Sequence, residues 1–185
     1  RGGVNVKGIK AIDDRKVELE LEVPAGTDPG LYPLRLVTET GLSNVILFSV
    51  GAMPQVNEAE PNSEFGTPQV ISNNVTIEGV VAREDEDYYA VTLKKGEPLT
   101  AEIEGVRIKK GRSNPFFDPY VAILDSNRFE LATSDDAPLL QQDCVCSIRA
   151  PEDGTYLVVV RDSSFGGNND QYRLHVGTYP RPIAV

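Results

Sequence analysis

Apolar residues recur at every second position along most of this chain, and this alternation limits the folds that the chain can adopt. Over residues 17–23, valine and leucine alternate with glutamate, so an extended strand there has one apolar face and one acidic face. No stretch repeats its apolar residues at the spacing of an amphipathic helix. The sequence therefore predicts an all-β protein.

Seven candidate strands follow one another beyond residue 70, with turn residues between them. They lie at residues 75–81, 89–93, 99–103, 120–124, 144–148, 156–160 and 172–176. The chain contains 16 glycines and 13 prolines, which supply the turns. Short strands at such intervals are typical of an antiparallel β-sandwich or a jelly roll. The two longer gaps, 106–117 and 128–143, are predicted to be loops at the ends of the sandwich.

The alternation also suggests a division of the chain. Residues 1–52 hold only three or four predicted strands, whereas a sandwich usually needs about seven, so we expect a smaller, incomplete β segment there. Residues 53–62 are rich in proline and acids and are predicted to be a linker. Residues 63–178 are then the main sandwich, and residues 179–185 a tail.

Composition excludes several classes of function. The chain has 28 acidic and 18 basic residues, and its net charge of −10 disfavours binding to nucleic acid or to anionic membranes. No apolar run approaches the about 18 residues of a membrane-spanning helix, so membrane insertion is not expected. A single histidine and the absence of a Gly-x-Ser-x-Gly motif leave little material for nucleophilic catalysis. The sequence predicts a protein that is not an enzyme.

Cys144 and Cys146 are separated by a single residue. On a strand their side chains share one face and run nearly parallel, which is a poor geometry for a disulfide. A strained redox pair or half of a thiolate metal site is the functional alternative, but no second cysteine pair or nearby histidine completes such a site. We predict that both thiols pack in the core as small hydrophobic groups.

Several short motifs occur in a fixed order. They are Glu58-Ala59-Glu60-Pro61-Asn62, then IEGV at 77–80, DEDYYAV at 85–91, DPYVAILD at 118–125 and APEDGTY at 150–156. Together they resemble the bacterial pre-peptidase C-terminal domain, a β-sandwich module of secreted peptidases and large surface proteins, over about residues 56–178. Residues 30–38 and 41–44 resemble the latter half of an immunoglobulin-like repeat, which often precedes that module. The resemblance implies an extracellular or cell-surface location.

The resemblance also implies a calcium site. Some members, notably the collagen-binding modules of bacterial collagenases, bind Ca²⁺ with an acidic segment at the domain entry and with acids near the matching Asp-x-Asp. The matching residues here are Glu58, Glu60, Asn62, Asp85 and Asp87. Their oxygens suit a hard cation that takes about six to eight oxygen ligands, although a serine follows Asn62 where a second acid is expected. The alternative is a solvated acidic linker and a solvated turn.

Aromatic residues near predicted loops are candidates for ligand binding. Phe116, Phe117 and Tyr120 lie beside an Asp-Pro turn, and Phe165 lies in a polar loop. Such rings would stack on the apolar faces of sugars or on a peptide. The alternative is that they close the end of the core.

These observations lead to one expectation about function. We expect a non-catalytic binding or spacer module of a larger secreted or surface bacterial protein, in contact with a polysaccharide, an extracellular protein or adjacent domains of a longer chain. The alternatives are a carbohydrate-binding module and an accessory domain of a secreted peptidase. Because the chain opens with Arg1-Gly2-Gly3, we expect it to be a piece of something longer or processed.

Overall fold

The computed structural model describes residues 3–108 and 117–180, and their regular structure consists of β-strands. In chain order the strands are β1 (Asn5–Ala11), β2 (Val17–Glu22), β3 (Gly30–Leu34), β4 (Val37–Thr38), β5 (Gly41–Leu42), β6 (Ile46–Val50), β7 (Gln55–Asn57), β8 (Gln69–Val70), β9 (Val75–Val81), β10 (Glu86–Leu93), β11 (Pro98–Glu104), β12 (Pro119–Leu124), β13 (Glu130–Ser134), β14 (Val145–Arg149), β15 (Gly154–Asp162) and β16 (Asp170–Gly177). Neither described range holds a helix that is long and apolar enough to span a bilayer. The predicted all-β class is confirmed.

The chain divides into two compact units, Arg1–Ala52 and Met53–Val185. The first unit contains three separate two-stranded antiparallel sheets, β1–β2, β3–β6 and β4–β5. In β2 the predicted alternation is present, because Leu19 and Leu21 are half-buried while the glutamates between them are exposed. Among residues 3–52, however, none is fully buried. The similarity of this unit to an immunoglobulin-like repeat stays a prediction.

Within residues 53–108 and 117–180, the second unit contains two five-stranded sheets, with the strand orders β13-β12-β15-β10-β8 and β14-β11-β16-β9-β7. Neighbouring strands are antiparallel except in the pairs β10–β8 and β7–β9, which are parallel. The inward side chains of both sheets form one hydrophobic core, which includes Ile77, Val91, Ile103, Val158 and Leu174. The predicted antiparallel β-sandwich is therefore confirmed.

All seven strands predicted beyond residue 70 are present, as β9 to β12 and β14 to β16. The prediction of a loop over residues 128–143 is wrong at β13, which pairs with β12 and forms one edge of its sheet. Only Ala132 of this strand packs against the core, and its neighbours Glu130 and Leu131 are exposed. Because only one small residue of β13 faces the core, its sequence shows almost no alternation of apolar and polar residues.

Residues 53–62, predicted to be a linker, belong to the second unit and contribute the edge strand β7. The carbonyl of Pro54 accepts a hydrogen bond from the amide of Thr76 at 2.8 Å, and the amide of Glu58 donates to the carbonyl of Glu78 at 2.9 Å. Proline is tolerated there because an edge strand leaves one side of its backbone unpaired. This pairing brings the acidic residues after β7 to the rim of the sandwich.

Cys144 and Cys146 both remain thiols and are buried in the core. Burial raises the pKa of the Cys144 thiol well above its ordinary value, which keeps it neutral and unreactive. The prediction that these residues act as core hydrophobic groups is confirmed.

Candidate functional site

The five residues predicted to hold calcium meet at one rim of the second unit. Glu58, Glu60 and Asn62 follow β7, Asp85 lies in the turn before β10, and Asp87 lies in β10. We call these five residues the acidic rim cluster. The carboxylates of Glu60, Asp85 and Asp87 each offer an oxygen, and these three oxygens lie within 4.8 Å of one another. Segments distant in sequence thus converge on a small volume rich in oxygen atoms.

Ser63 lies inside this cluster. Its hydroxyl donates to Asp85 Oδ1 at 3.0 Å and lies 3.5 Å from Glu60 Oε2. The serine therefore joins the segment after β7 to the turn before β10. Its presence in place of an acid leaves the convergence of the carboxylates intact.

Two polar atoms of the cluster lack partners. Asn62 and Asp87 are both fully buried, and the Oδ1 atom of each has no hydrogen-bond donor in the described part of the structure. An unsatisfied buried polar group costs about 1–3 kcal/mol, and more when it is charged. Both atoms therefore require a positive or proton-bearing group that these protein residues do not supply.

The buried and acidic surroundings of Asp87 also disfavour its ionised form. Burial, followed by the charge of Glu58, raises the pKa of Asp87 to about 9, against a partly opposing hydrogen bond from Tyr172. This raised pKa favours the protonated form of the Asp87 carboxyl. A cation bound in the cluster would take the place of this proton.

Two buried tyrosines support the cluster from the core side. The hydroxyl of Tyr89 donates to Glu58 Oε1 at 2.8 Å, and that of Tyr172 lies 2.7 Å from Asp87 Oδ2 and 3.1 Å from Glu58 Oε1. The other oxygen of Glu58 accepts a hydrogen bond from the amide of Val80 at 3.0 Å. Both oxygens of Glu58 are thus engaged by the protein, so its role is to orient the cluster.

Sequence reasoning missed the tyrosine pair, although a signal was available. Tyr89 and Tyr172 occupy inward positions of alternating strands, and a buried tyrosine hydroxyl needs a hydrogen-bond partner. The ring of Tyr172 lies across Gly79 on the neighbouring strand, where a Cβ atom would collide with it. This glycine allows the tyrosine to reach the rim.

The aromatic candidates have different environments. Phe117 is buried in the core, where its ring packs on Gly105, and it is therefore not available to a ligand. Phe116 lies outside the described residues. Tyr120 is half-buried, and Phe165 is 46% exposed. Only the last two therefore remain candidates within the described structure.

Arg161 joins Tyr120 and Phe165. Its guanidinium carbon lies 3.9 Å from the centroid of the Tyr120 ring and 4.3 Å from that of Phe165, so the cation stacks with both rings. Sequence reasoning did not identify this arginine, because no spacing rule links residues 120, 161 and 165. The stack fixes the orientation of both rings.

The single histidine lies in an arrangement that superficially resembles a catalytic triad. Thr76 Oγ1 lies 2.9 Å from Nδ1 of His175, and Nε2 of His175 lies 3.2 Å from Glu104 Oε2. Thr76 is fully buried, so a substrate cannot reach its hydroxyl. The geometry is that of a structural hydrogen-bond network on a sheet face.

Comparison with solved structures finds several similar chains. The pre-peptidase C-terminal domain of collagenase from Bacillus anthracis is 16% identical, with a TM-score of 0.43, over 59% of this chain and 93% of that one. PliG of Aeromonas hydrophila, a periplasmic inhibitor of g-type lysozyme, is 14% identical, with a TM-score of 0.42, over 60% and 97%. CorA of Methylomicrobium album BG8, a surface-associated copper-binding protein, is 11% identical, with a TM-score of 0.40, over 69% and 99%.

The comparison with protein families gives a more specific result than the comparison with solved structures. A search of curated proteins returns no match. Residues 85–162 match the model of the family described as the bacterial pre-peptidase C-terminal domain. This segment runs from Asp85 of the acidic rim cluster to the end of β15. The match thus confirms, over residues 85–162, the resemblance of the second unit to the bacterial pre-peptidase C-terminal domain.

Proposed function

We propose that the protein is a non-catalytic accessory module of a larger secreted or cell-surface bacterial protein, and that Ca²⁺ bound in the acidic rim cluster stabilises it. The single observation that carries the calcium proposal is the pair of fully buried, unpartnered oxygens of Asn62 and Asp87 beside two further carboxylates. The family match of residues 85–162 supports the proposed location, because such domains occur in secreted bacterial proteins.

The donor set of the cluster suits a hard cation. Glu60, Asp85 and Asp87 would contribute carboxylate oxygens, and Asn62 would contribute its amide oxygen. Calcium prefers ligands of this kind and accepts irregular arrangements, whereas zinc and copper favour imidazole nitrogen and sulfur atoms, which these residues lack. The bound ion would supply the positive charge that the three carboxylates need.

The expected consequence of calcium binding is mechanical. The ligands come from the segment after β7 and from the start of β10, which otherwise meet through hydrogen bonds such as that between Ser63 and Asp85. A cation shared by both would hold this rim closed. The module would then present its loops to a polysaccharide, an extracellular protein or an adjacent domain on a rigid scaffold.

Calcium titration of the whole chain tests this proposal. Isothermal titration calorimetry should show binding, and calcium at about 100 times its Kd should add about 2.7 kcal/mol to the free energy of unfolding. Asp87→Asn should abolish the effect, because an amide is neutral and a weaker ligand. Asp136→Asn, which changes an exposed acid elsewhere, is the matched control. An equal melting temperature in calcium and in chelator would refute the calcium site.

A further inference from the structure

A second candidate site lies at the loop between β15 and β16. A groove of about 640 Å³ runs between this loop and the turn before β10, and its volume lies within the about 300–1,000 Å³ typical of small-ligand sites. The side chains that matter for its chemistry are Arg83, Glu84, Ser164, Phe165, Asn168 and Asp170. We call it the β15–β16 groove.

The loop that forms one wall of the groove is held by a buried carboxylate. Asp162 is 2% exposed, and its Oδ1 atom accepts hydrogen bonds from the amides of Ser164 and Gly166 at 2.9 and 3.0 Å. The hydroxyl of Ser164 donates to the same oxygen at 2.6 Å. At Gly167, with φ of +50°, an added Cβ would collide with the carbonyl of Ala82, so the two walls are closely packed. The groove is therefore built in advance of any ligand.

Phe165 is displayed at some conformational cost. It adopts a positive φ of +57°, which a bulky residue rarely does, and its ring is 46% exposed and lines the groove. The amide of Glu84 donates to the carbonyl of Phe165 at 3.2 Å, and Arg161 stacks on the ring. Strained residues that the surroundings hold in place are concentrated at binding sites. An exposed, immobilised ring is a surface on which a ligand can stack.

We propose that the β15–β16 groove binds a neutral carbohydrate chain, with the ring of Phe165 stacking on the apolar face of a sugar. This inference rests on the proposed function of a binding module and names the class of its ligand. Around the ring, Arg83, Glu84, Asn168 and Asp170 carry planar groups with at least two polar atoms each. Such groups match the pairs of adjacent hydroxyls on a sugar ring.

The charge of the groove selects among carbohydrates. Among the described lining residues, Glu84, Asp162 and Asp170 carry carboxylates and Arg83 carries a guanidinium, while the guanidinium of Arg161 stacks on the Phe165 ring, so acidic groups outnumber basic ones. Arg83 is itself within 3.7 Å of Glu84. This excess of negative charge repels uronic acids and sulfated glycans. The combination of one aromatic ring with both donors and acceptors therefore favours neutral hexoses or N-acetylated hexosamines.

A glycan array tests the ligand class. The whole chain in calcium buffer should bind neutral glycans and leave acidic glycans unbound, and calorimetry with the best neutral oligosaccharide should confirm the affinity. Phe165→Ala should weaken binding about tenfold, the effect of losing one stacked ring, and Asn168→Ala should weaken it less. Phe165→Trp should retain binding. Phe129→Ala is the matched control, because Phe129 is 68% exposed in the β12–β13 turn and lies outside the groove.

Several outcomes would overturn the inference. They are the absence of any glycan signal, binding to acidic glycans only, capture of a peptide in place of sugar, and unchanged glycan affinity of Phe165→Ala. Melting temperatures and calcium titrations of the same samples show that each variant is folded. They also separate the two proposals, because loss of calcium binding with retained glycan binding rejects the calcium site alone. Calcium binding without glycan binding rejects the groove alone.

Discussion

The two units of the chain have the same sequence period but very different interiors. In the first unit, Leu19 and Leu21 alternate with glutamate yet stay half-buried, and no residue between 3 and 52 is fully buried. In the second unit, Leu99 and Ile103 belong to the same kind of alternation in β11 and are completely buried. The difference is the second sheet, since in the described part of the chain two five-stranded sheets share one core in the second unit and none do in the first. Alternation specifies an apolar face, and a core needs two such faces.

Separating the two units is the most decisive test of the difference between them. A chain of residues 53–185 should fold cooperatively, because its core lies within it, whereas residues 1–52 alone should lack stable structure, because a chain this short that buries little apolar surface is marginal. Circular dichroism and amide NMR dispersion of both fragments measure this, with the whole chain as control. Cooperative unfolding of the 1–52 fragment would show that its half-buried strands suffice for a fold.

Equivalent truncations of apolar side chains in the two units test the same difference in burial. Ile77→Ala should lower the free energy of unfolding of the whole chain by about 2–5 kcal/mol, because it leaves a cavity at a fully buried position. Leu21→Ala should cost less than about 1 kcal/mol, because its side chain is half-buried and its site can collapse or fill with water. Urea unfolding of both variants measures the difference. Similar losses for the two would contradict the contrast between the units.

Adding a methyl group tests the packing beneath the acidic rim cluster. Gly79→Ala should cost about 1–3 kcal/mol, because the new Cβ would collide with the ring of Tyr172. It should also weaken calcium binding, since Tyr172 orients Glu58 and Asp87. Gly154→Ala is the matched control, because nothing lies within 4 Å of a Cβ there. Calorimetric titration and thermal melts separate the two effects, and equal behaviour of the variants would reject this role of Gly79.

The sequence predicts the centre of the second unit better than its edges. Most of the seven strands that it identifies place several large apolar residues on one side, whereas the short strands β7 and β8 and the edge strand β13 place few or none there. At the acidic rim cluster, the resemblance to a family indicates all five residues. It does not indicate the contacts of Tyr172 or of Ser63, because these contacts depend on how strands and turns distant in sequence come together in space. Spacing along one strand contains no information about such contacts.

The smallest expected effect is a change of the free energy of unfolding with pH. It distinguishes a carboxylate that hydrogen bonds hold in a loop from one that is exposed to solvent. Burial opposes the ionisation of Asp162, but hydrogen bonds from Ser164 and from the amides of Gly166 and Asp118 lower its pKa overall. A carboxyl whose pKa is lowered by folding stabilises the folded state above its unfolded pKa of about 3.9, and this contribution disappears as the pH falls through the folded pKa.

Asp162→Asn should therefore lower the free energy of unfolding by about 1 kcal/mol at pH 7 and by progressively less toward pH 3. Glu18→Gln, on the exposed acidic face of β2, should follow the wild type at every pH in urea unfolding. A constant difference between Asp162→Asn and the wild type from pH 7 to 3 would mean that the charge of Asp162 does not hold the groove loop.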